Sequence, residues 1–176
     1  PAGFCSVIGF RPSPGRIASG PCPDVFNPLP IEGPMGRCVK DVALMMDAQV
    51  GYHPGDPLSL PKPDYSFFEV AQRGLKPSKI AYSVDLGSIT PVEKEVAAIF
   101  KQSVDTLAGS INVEAACPDL KNASFVFHTL RAALLAQRLG PLLKNHRELF
   151  KPELIWNIEK GMNLSMDEIG EAELMR

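Results

Sequence analysis

The sequence lacks a surplus of charge of either sign. Its 18 lysines and arginines against 20 aspartates and glutamates leave a net charge of -2. There is therefore no basic field for nucleic acid and no cationic face for a membrane surface. Long apolar runs are missing too: Val42 to Met46 is among the longest, far below the roughly 18 to 20 residues a membrane span needs. Cysteine is sparse. Cys5, Cys22, Cys38 and Cys117 form no C-x-x-C pair, and His53, His128 and His146 lie far apart, which argues against a zinc site built on local spacing. Four cysteines in a chain of 176 residues make no disulfide scaffold, and free thiols in a reducing cytoplasm are expected. The opening Pro1-Ala2-Gly3 has neither initiator Met, basic run nor apolar core, so it reads neither as a signal peptide nor as a natural start.

Catalytic signatures are equally scarce. The chain has no G-x-S-x-G elbow, no G-x-x-x-x-G-K-S/T loop, no G-x-G-x-x-G after a strand and no H-E-x-x-H. One S-x-x-K occurs, Ser59-Leu60-Pro61-Lys62. Pro57, Pro61 and Pro63 favour an extended loop over the helical turn that would aim the lysine at the serine, so this is read as a chance match. Cys117 and His128 could form a thiolate–imidazole pair, but buried cysteine is the ordinary state of an unpaired thiol. Glu114 and Asp119 are read as strand-edge and loop polar groups. From the residues alone the chain is a mixed α/β scaffold without a self-contained active site.

What is present is a globular mixture, 45% hydrophobic and 22% charged, long enough for one domain with a sizeable core. Many of its 17 prolines and 14 glycines crowd into Arg11 to Gly36, which predicts a long ordered loop. Before it, Phe4 to Phe10 reads as a buried strand. After it, Val39, Val42, Ala43, Met46 and Val50 share one helical face stopped at Gly51, with Met45 and Met46 read as core packing. Lys79 to Val84 and Ile111 to Ala115 predict strands. Between them Thr90-Pro91-Val92-Glu93 predicts a capping box opening a helix over Pro91 to Ala108. Its apolar stripe is Val92, Val96, Ile99, Phe100, Val104 and Leu107. Strand, helix, strand at this distance predicts a parallel pair with a right-handed crossover. Helices are predicted from Ala123 to Leu139 with a break at Gly140-Pro141, and from Pro152 to Lys160 stopped by Gly161. A last one opens on the capping box Ser165-Met166-Asp167-Glu168.

Two blocks carry a resemblance. PAGFCSVIGFRPSPGRIASG resembles P-A-x-F-C-G-V-x-G-L/F/Y-K/R-P-S/T-x-G-R, matching at Pro1, Ala2, Phe4, Cys5, Val7, Gly9, Phe10, Arg11, Pro12, Ser13, Gly15 and Arg16. GPMGRCVKDVA resembles G-P-M/I-x-R-T/S-V-x-D-x-A, matching at Gly33, Pro34, Met35, Arg37, Val39, Asp41 and Ala43. Together they resemble the amidase-signature family, with Ser6 where glycine is common and Cys38 where threonine or serine is usual. AYSVDLGSITPVEKEV is similar to the strand–loop–helix that follows the signature. CPDL, HTLRAAL and KPELIWNIEKGMNLS are similar to the helical continuation, so the likeness covers essentially the whole chain.

The resemblance implies an α/β/α fold with a mixed β-sheet flanked by helices. It makes residues 1–176 the C-terminal-side portion of a single amidase domain, truncated at both ends. It implies hydrolysis of a carboxylic amide to acid plus ammonia or amine by a Ser-cisSer-Lys triad through an acyl-enzyme. The family's nucleophile lies in G-G-S-I/V-R-x-P-A, whose last two letters match Pro1 and Ala2. It is thus expected four residues ahead of Pro1, with the bridging serine, the lysine and the oxyanion loop further upstream or beside it. The chain alone is then expected to be inactive and to hold no catalytic residue. Phe125, His128 and Thr129 are expected to line the acyl pocket, the alternative being plain helix packing. No metal or organic cofactor is implied. Expected partners are a small-molecule amide and a second copy in a homodimer, with no direct nucleic acid and no membrane; the expected location is the cytoplasm. Two other readings stay open: a non-catalytic assembly module on the same scaffold, and the A subunit of a glutamyl-tRNA(Gln) amidotransferase.

Overall fold

The computed structural model describes residues 1–21, 24, 26–27 and 29–176. Cys22, read above as a free thiol, lies outside them. The chain divides into two compact units, Pro1–Lys76 and Pro77–Arg176.

In the first unit, β1 (Ile8–Gly9) pairs antiparallel with β2 (Met35–Gly36), so the two sequence blocks meet as one ribbon, Ile8 opposite Gly36 and Gly9 opposite Met35. The expected buried strand over Phe4 to Phe10 is corrected to these two residues. Pro1 to Val7 instead forms nested turns, with the Cys5 N–H donating to Pro1 and Ala2 and the Val7 N–H to Ala2. Phe4 is 99% exposed. The reason is Ser6, whose φ of +51 turns the chain left-handed and ends any extended run.

Helix α1 (Val39–Gln49) follows. Val42, Ala43, Met46 and Val50 are buried as the spacing predicts, while Val39 and Met45 stay exposed. Helix α2 (Phe67–Arg73) is not foreseen by periodicity. It opens on Ser66, whose hydroxyl accepts from Glu69 N–H at 3.2 Å, and closes on Gly74 at φ +62.

In the second unit β3 (Lys79–Tyr82) and β4 (Asn112–Ala115) are parallel, Lys79 beside Asn112 and Tyr82 beside Ala115, with α3 (Lys94–Ala108) as the crossover. The predicted capping box is corrected. Helix α3 begins at Lys94, with Glu93 as a cap that makes no side-chain bond. Thr90 is committed elsewhere, its N–H donating to the Asp85 carbonyl at 3.2 Å. The predicted stripe on α3 is also only partly covered: Val104 is buried, whereas Ile99 is 65% exposed and Val96 and Leu107 are exposed.

The helical remainder packs α4 (Ala123–His146) against α5 (Pro152–Met162) and α6 (Met166–Met175). The predicted break at Gly140-Pro141 does not occur, and α4 runs through Pro141. An interior proline costs a helix about 3 kcal/mol; burial of Leu143 and Gly140 just around it offsets that cost. Gly161 does not stop α5 either. A Cβ there would sit 2.0 Å from the Ala132 carbonyl oxygen, so the glycine lets α5 approach α4 closely. Ile158 is fully buried on the same helix. The α6 capping box forms as predicted, Ser165 and Glu168 exchanging bonds at 3.1 and 2.8 Å.

The turn between β3 and α3 is unusual. Leu86, Gly87 and Ser88 are successive left-handed residues at φ +54, +76 and +67. For Leu86 and Ser88 this costs roughly 1 kcal/mol each. The Asp85 side chain helps offset it by accepting from the Ser88 hydroxyl at 3.1 Å, and the Asp85 carbonyl by accepting from the Thr90 N–H at 3.2 Å.

Candidate functional site

The two motif blocks build one platform. Phe10 N–H donates to the Pro34 carbonyl at 3.0 Å, and a Cβ at Gly33 would lie 1.9 Å from the Phe10 carbonyl oxygen. Only glycine permits that approach. Beside the ribbon is an open pocket of about 460 Å3, lined by Pro1, Ala2, Phe10, Glu32, Gly33 and Met35 among others. The Arg11 guanidinium donates to the Leu29 carbonyl at 3.1 Å and that of Arg16 to the Pro61 carbonyl at 3.3 Å, so these motif arginines hold backbone. Gly15, at φ +78, lies where a Cβ would meet the Leu58 carbonyl at 1.9 Å, and its own carbonyl accepts from Leu60 N–H.

The residue that fastens this loop was not anticipated. Asp56 is 4% exposed, and its carboxylate accepts from Ser19 N–H at 2.8 Å and Leu58 N–H at 2.9 Å. Ser19 in turn donates its hydroxyl to Glu32 at the pocket lip, at 3.2 Å. The only signal for this in the sequence is an aspartate before proline in a turn-rich stretch, the D-P of DPLSLP.

Asp47 does the same for α2. Its carboxylate takes the Ser66 hydroxyl at 2.6 Å and the N–H groups of Phe67 and Phe68 at 2.7 and 3.0 Å. Burial pushes its carboxyl upward, but those bonds and the Lys62 charge prevail and hold it below the usual aspartate value.

The sequence-derived candidates separate. Ser59 gives its hydroxyl to the carbonyls of His53 and Asp56, and Lys62 bonds the Asp47 carbonyl at 3.3 Å, so the S-x-x-K is loop structure. Phe125, His128 and Thr129 fall on one face of α4 by their spacing; Phe125 and His128 are exposed and Thr129 is 5% exposed. The His128 ring packs edge-on against Phe127, whose face lies 6.0 Å from the Arg131 guanidinium. Cys5 and Cys38 are exposed free thiols and Cys117 is half-buried. Among the described residues no group of three or more His, Cys, Asp or Glu could hold a metal ion, and no helix is long and apolar enough to cross a membrane.

This platform, with both blocks in register across one ribbon, lies within the part of the chain that known proteins share. A family model described as Amidase matches residues 1–164, and the chain belongs to that family. A putative amidase of Synechocystis is 37% identical over 86 residues, which is 49% of this chain and 17% of that protein. An acylamidase of Rhodococcus erythropolis is 33% identical over 99 residues, 56% of this chain and 20% of that protein. The A subunit of the glutamyl-tRNA(Gln) amidotransferase of Microcystis aeruginosa is 34% identical over 123 residues, 67% of this chain and 25% of that protein. In three dimensions the chain superposes on a bacterial aryl acylamidase of the amidase-signature enzymes with a TM-score of 0.79 at 25% identity, covering 94% of this chain and 36% of that one. The mixed α/β architecture with small sheets and packed helices is that of these enzymes. The chain thus spans a quarter or less of these three curated relatives.

Proposed function

We propose that this chain is a portion of a single amidase domain, the part that follows the nucleophile loop, in an enzyme hydrolysing a carboxylic amide to acid and ammonia or amine. The observation that supports this most directly is the ribbon of β1 and β2, which sets both signature blocks side by side within the span of the family match. In this reading the serine nucleophile, the bridging serine and the lysine base are supplied by sequence outside these residues. Lysine takes the nucleophile's proton through the bridging serine, the acyl-enzyme forms, the amine leaves, and water releases the acid. The residues described here support that chemistry. Arg11, Arg16, Gly15 and Asp56 fix the loop behind Pro1 and Ala2, and Phe125, His128 and Thr129 contribute to the acyl pocket. The substrate is a small amide, the location the cytoplasm, and the enzyme a homodimer.

In this reading the chain alone turns over no amide, because the nucleophile, the bridging serine and the lysine base belong to other residues. Two assays test the reading together. The complete polypeptide carrying this sequence should hydrolyse a simple amide, and the isolated chain should not. Turnover by the isolated chain that disappears in Cys117→Ala or His128→Ala would instead establish thiol chemistry. A second reading, an amidotransferase A subunit, is favoured by the match to such a subunit over two-thirds of the chain. It requires glutamine-dependent amidation of charged tRNA in the presence of partner subunits.

A further inference from the structure

The pocket beside the β1–β2 ribbon has two charged residues on its wall, Arg11 and Glu32, and they do different things. Its volume is about 460 Å3, and the rest of its lining is apolar side chains and glycine. Arg11 is turned to structure, its guanidinium donating to the Leu29 carbonyl at 3.1 Å. Among the described residues of the first unit the ion pair is Arg73 with Glu69, so no lysine or arginine there pairs with Glu32.

Glu32 is fixed from both sides. Its backbone runs into Gly33, where a Cβ would lie 1.9 Å from the Phe10 carbonyl oxygen, and Pro34, whose carbonyl takes the Phe10 N–H at 3.0 Å. Its Oε1 accepts from the Ser19 hydroxyl at 3.2 Å. Ser19 is itself held by the buried Asp56 carboxylate, which accepts the Ser19 N–H at 2.8 Å. One carboxylate oxygen is thus tethered by Ser19, while Oε2 bonds no described group of the first unit. An apolar cavity with one placed charged group is the ordinary form of a small-molecule site.

We propose that Glu32 is a specificity-determining residue, and that it selects amides whose organic group ends in an ammonium. This rests on the amidase reading, which puts the serine nucleophile four residues ahead of Pro1, itself a lining residue of this pocket. Four residues of chain span at most about 14 Å, so a short linear amide bridges the serine and the pocket. Its methylenes lie against Phe10 and Met35, and its ammonium donates to Glu32 Oε2. A neutral amide fills the same apolar space without that bond.

The test uses the complete polypeptide and two probes of equal length, δ-aminovaleramide and hexanamide, which differ in a terminal ammonium against a methyl. The parent should favour the cationic probe, and Glu32→Gln, which keeps an acceptor for Ser19, should lower the kcat/KM ratio about fivefold, through KM. That is what an exposed ion pair is worth. Added salt should erode the parent's preference and leave that of Glu32→Gln unmoved, since screening acts only on the charge. A purely structural role for Glu32 depresses both probes equally and leaves the ratio and its salt dependence fixed, which would overturn the proposal, as would a parent with no preference. Equilibrium dialysis of both probes is read alongside turnover. Binding of δ-aminovaleramide that weakens in Glu32→Gln, in a parent that hydrolyses neither probe, would defeat the amidase reading and sustain Glu32 as the ammonium site. Hydrolysis with cationic binding unchanged in Glu32→Gln would sustain the amidase reading and defeat this one.

Discussion

The two units are held together by different physics. In residues 1–76 the polar side chains reach across long stretches of sequence to backbone: Asp56 to Ser19, Asp47 to Phe67 and Phe68, Arg11 to Leu29, Arg16 to Pro61. Gly15 and Gly33 allow strands of loop to touch. In residues 77–176 side-chain bonds are mostly to neighbours one helical turn away, as for Ser103, Thr106, Asn157 and Asn163. There the cohesion comes from apolar contact, with Ile158, Ala132 and Ala172 almost wholly buried where α4 meets α5 and α6. A loop-rich unit with little helix to bury must satisfy its backbone groups through specific acceptors; a helical unit satisfies them internally and is free to be held by packing.

The largest expected effect lies in the behaviour of the isolated chain. Both units leave large apolar side chains uncovered, Phe4 in one and Ile99 in the other, and patches of this kind recruit other chains. Size-exclusion chromatography with a thermal melt is expected to show self-association or a broad transition. A monodisperse monomer with one cooperative melt would show an autonomous domain instead.

Next come two substitutions, one for each kind of cohesion, measured by urea denaturation of the complete polypeptide. Ile158→Ala should cost about 3 kcal/mol, since it leaves a cavity in a packed helix contact. Asp56→Ala should cost about 2 kcal/mol, since it strands two part-buried N–H donors. If Asp56→Ala is neutral, the loop is held by something other than its carboxylate, and the contrast between the units fails.

A smaller effect is expected from pH. Asp47 has a folded carboxyl value depressed below its ordinary one, so its stabilisation is fully present above the ordinary aspartate range and declines as pH falls through the folded value. Asp47→Asn should flatten that acid limb of a stability–pH profile without changing the profile near neutrality in shape. An unchanged acid limb would remove Asp47 as the α2 anchor.

The smallest effect concerns Ser6. Its φ of +51 suits glycine, the residue common in the family at that place. Ser6→Gly should raise stability by roughly 0.5 to 1 kcal/mol by relieving the left-handed strain, less whatever entropy glycine adds to the unfolded chain. A loss of stability would mean the Ser6 hydroxyl contributes a contact that outweighs the strain.

The parts of this fold legible in the sequence were those set by neighbours along the chain. The parallel pair and its crossover, the buried face of α1 and the Ser165 capping box follow from periodicity and local hydrogen bonding, and all three formed. The missed features turn on contacts that periodicity does not encode, one of them, Ala132 against Gly161, distant in sequence. Gly161 reads as a stop until Ala132 is seen against it; Gly140-Pro141 reads as a break until Leu143 is seen buried; Thr90 reads as a cap until Asp85 takes its N–H. The candidate site divides the same way. Its two motif blocks were legible by type and spacing, whereas Asp56, Ser19 and Glu32 carry no periodic signal and were found only by contact.

By itself, then, the sequence determined the secondary elements whose hydrogen bonds close within a turn or a short crossover, and through its two blocks the family. Tertiary structure alone decided which glycines serve as stops and which as contact points. It also decided which carboxylates are buried fasteners and which apolar faces remain uncovered. Those outcomes depend on groups far apart in the chain meeting at van der Waals or hydrogen-bond distance, and no local propensity encodes such a meeting.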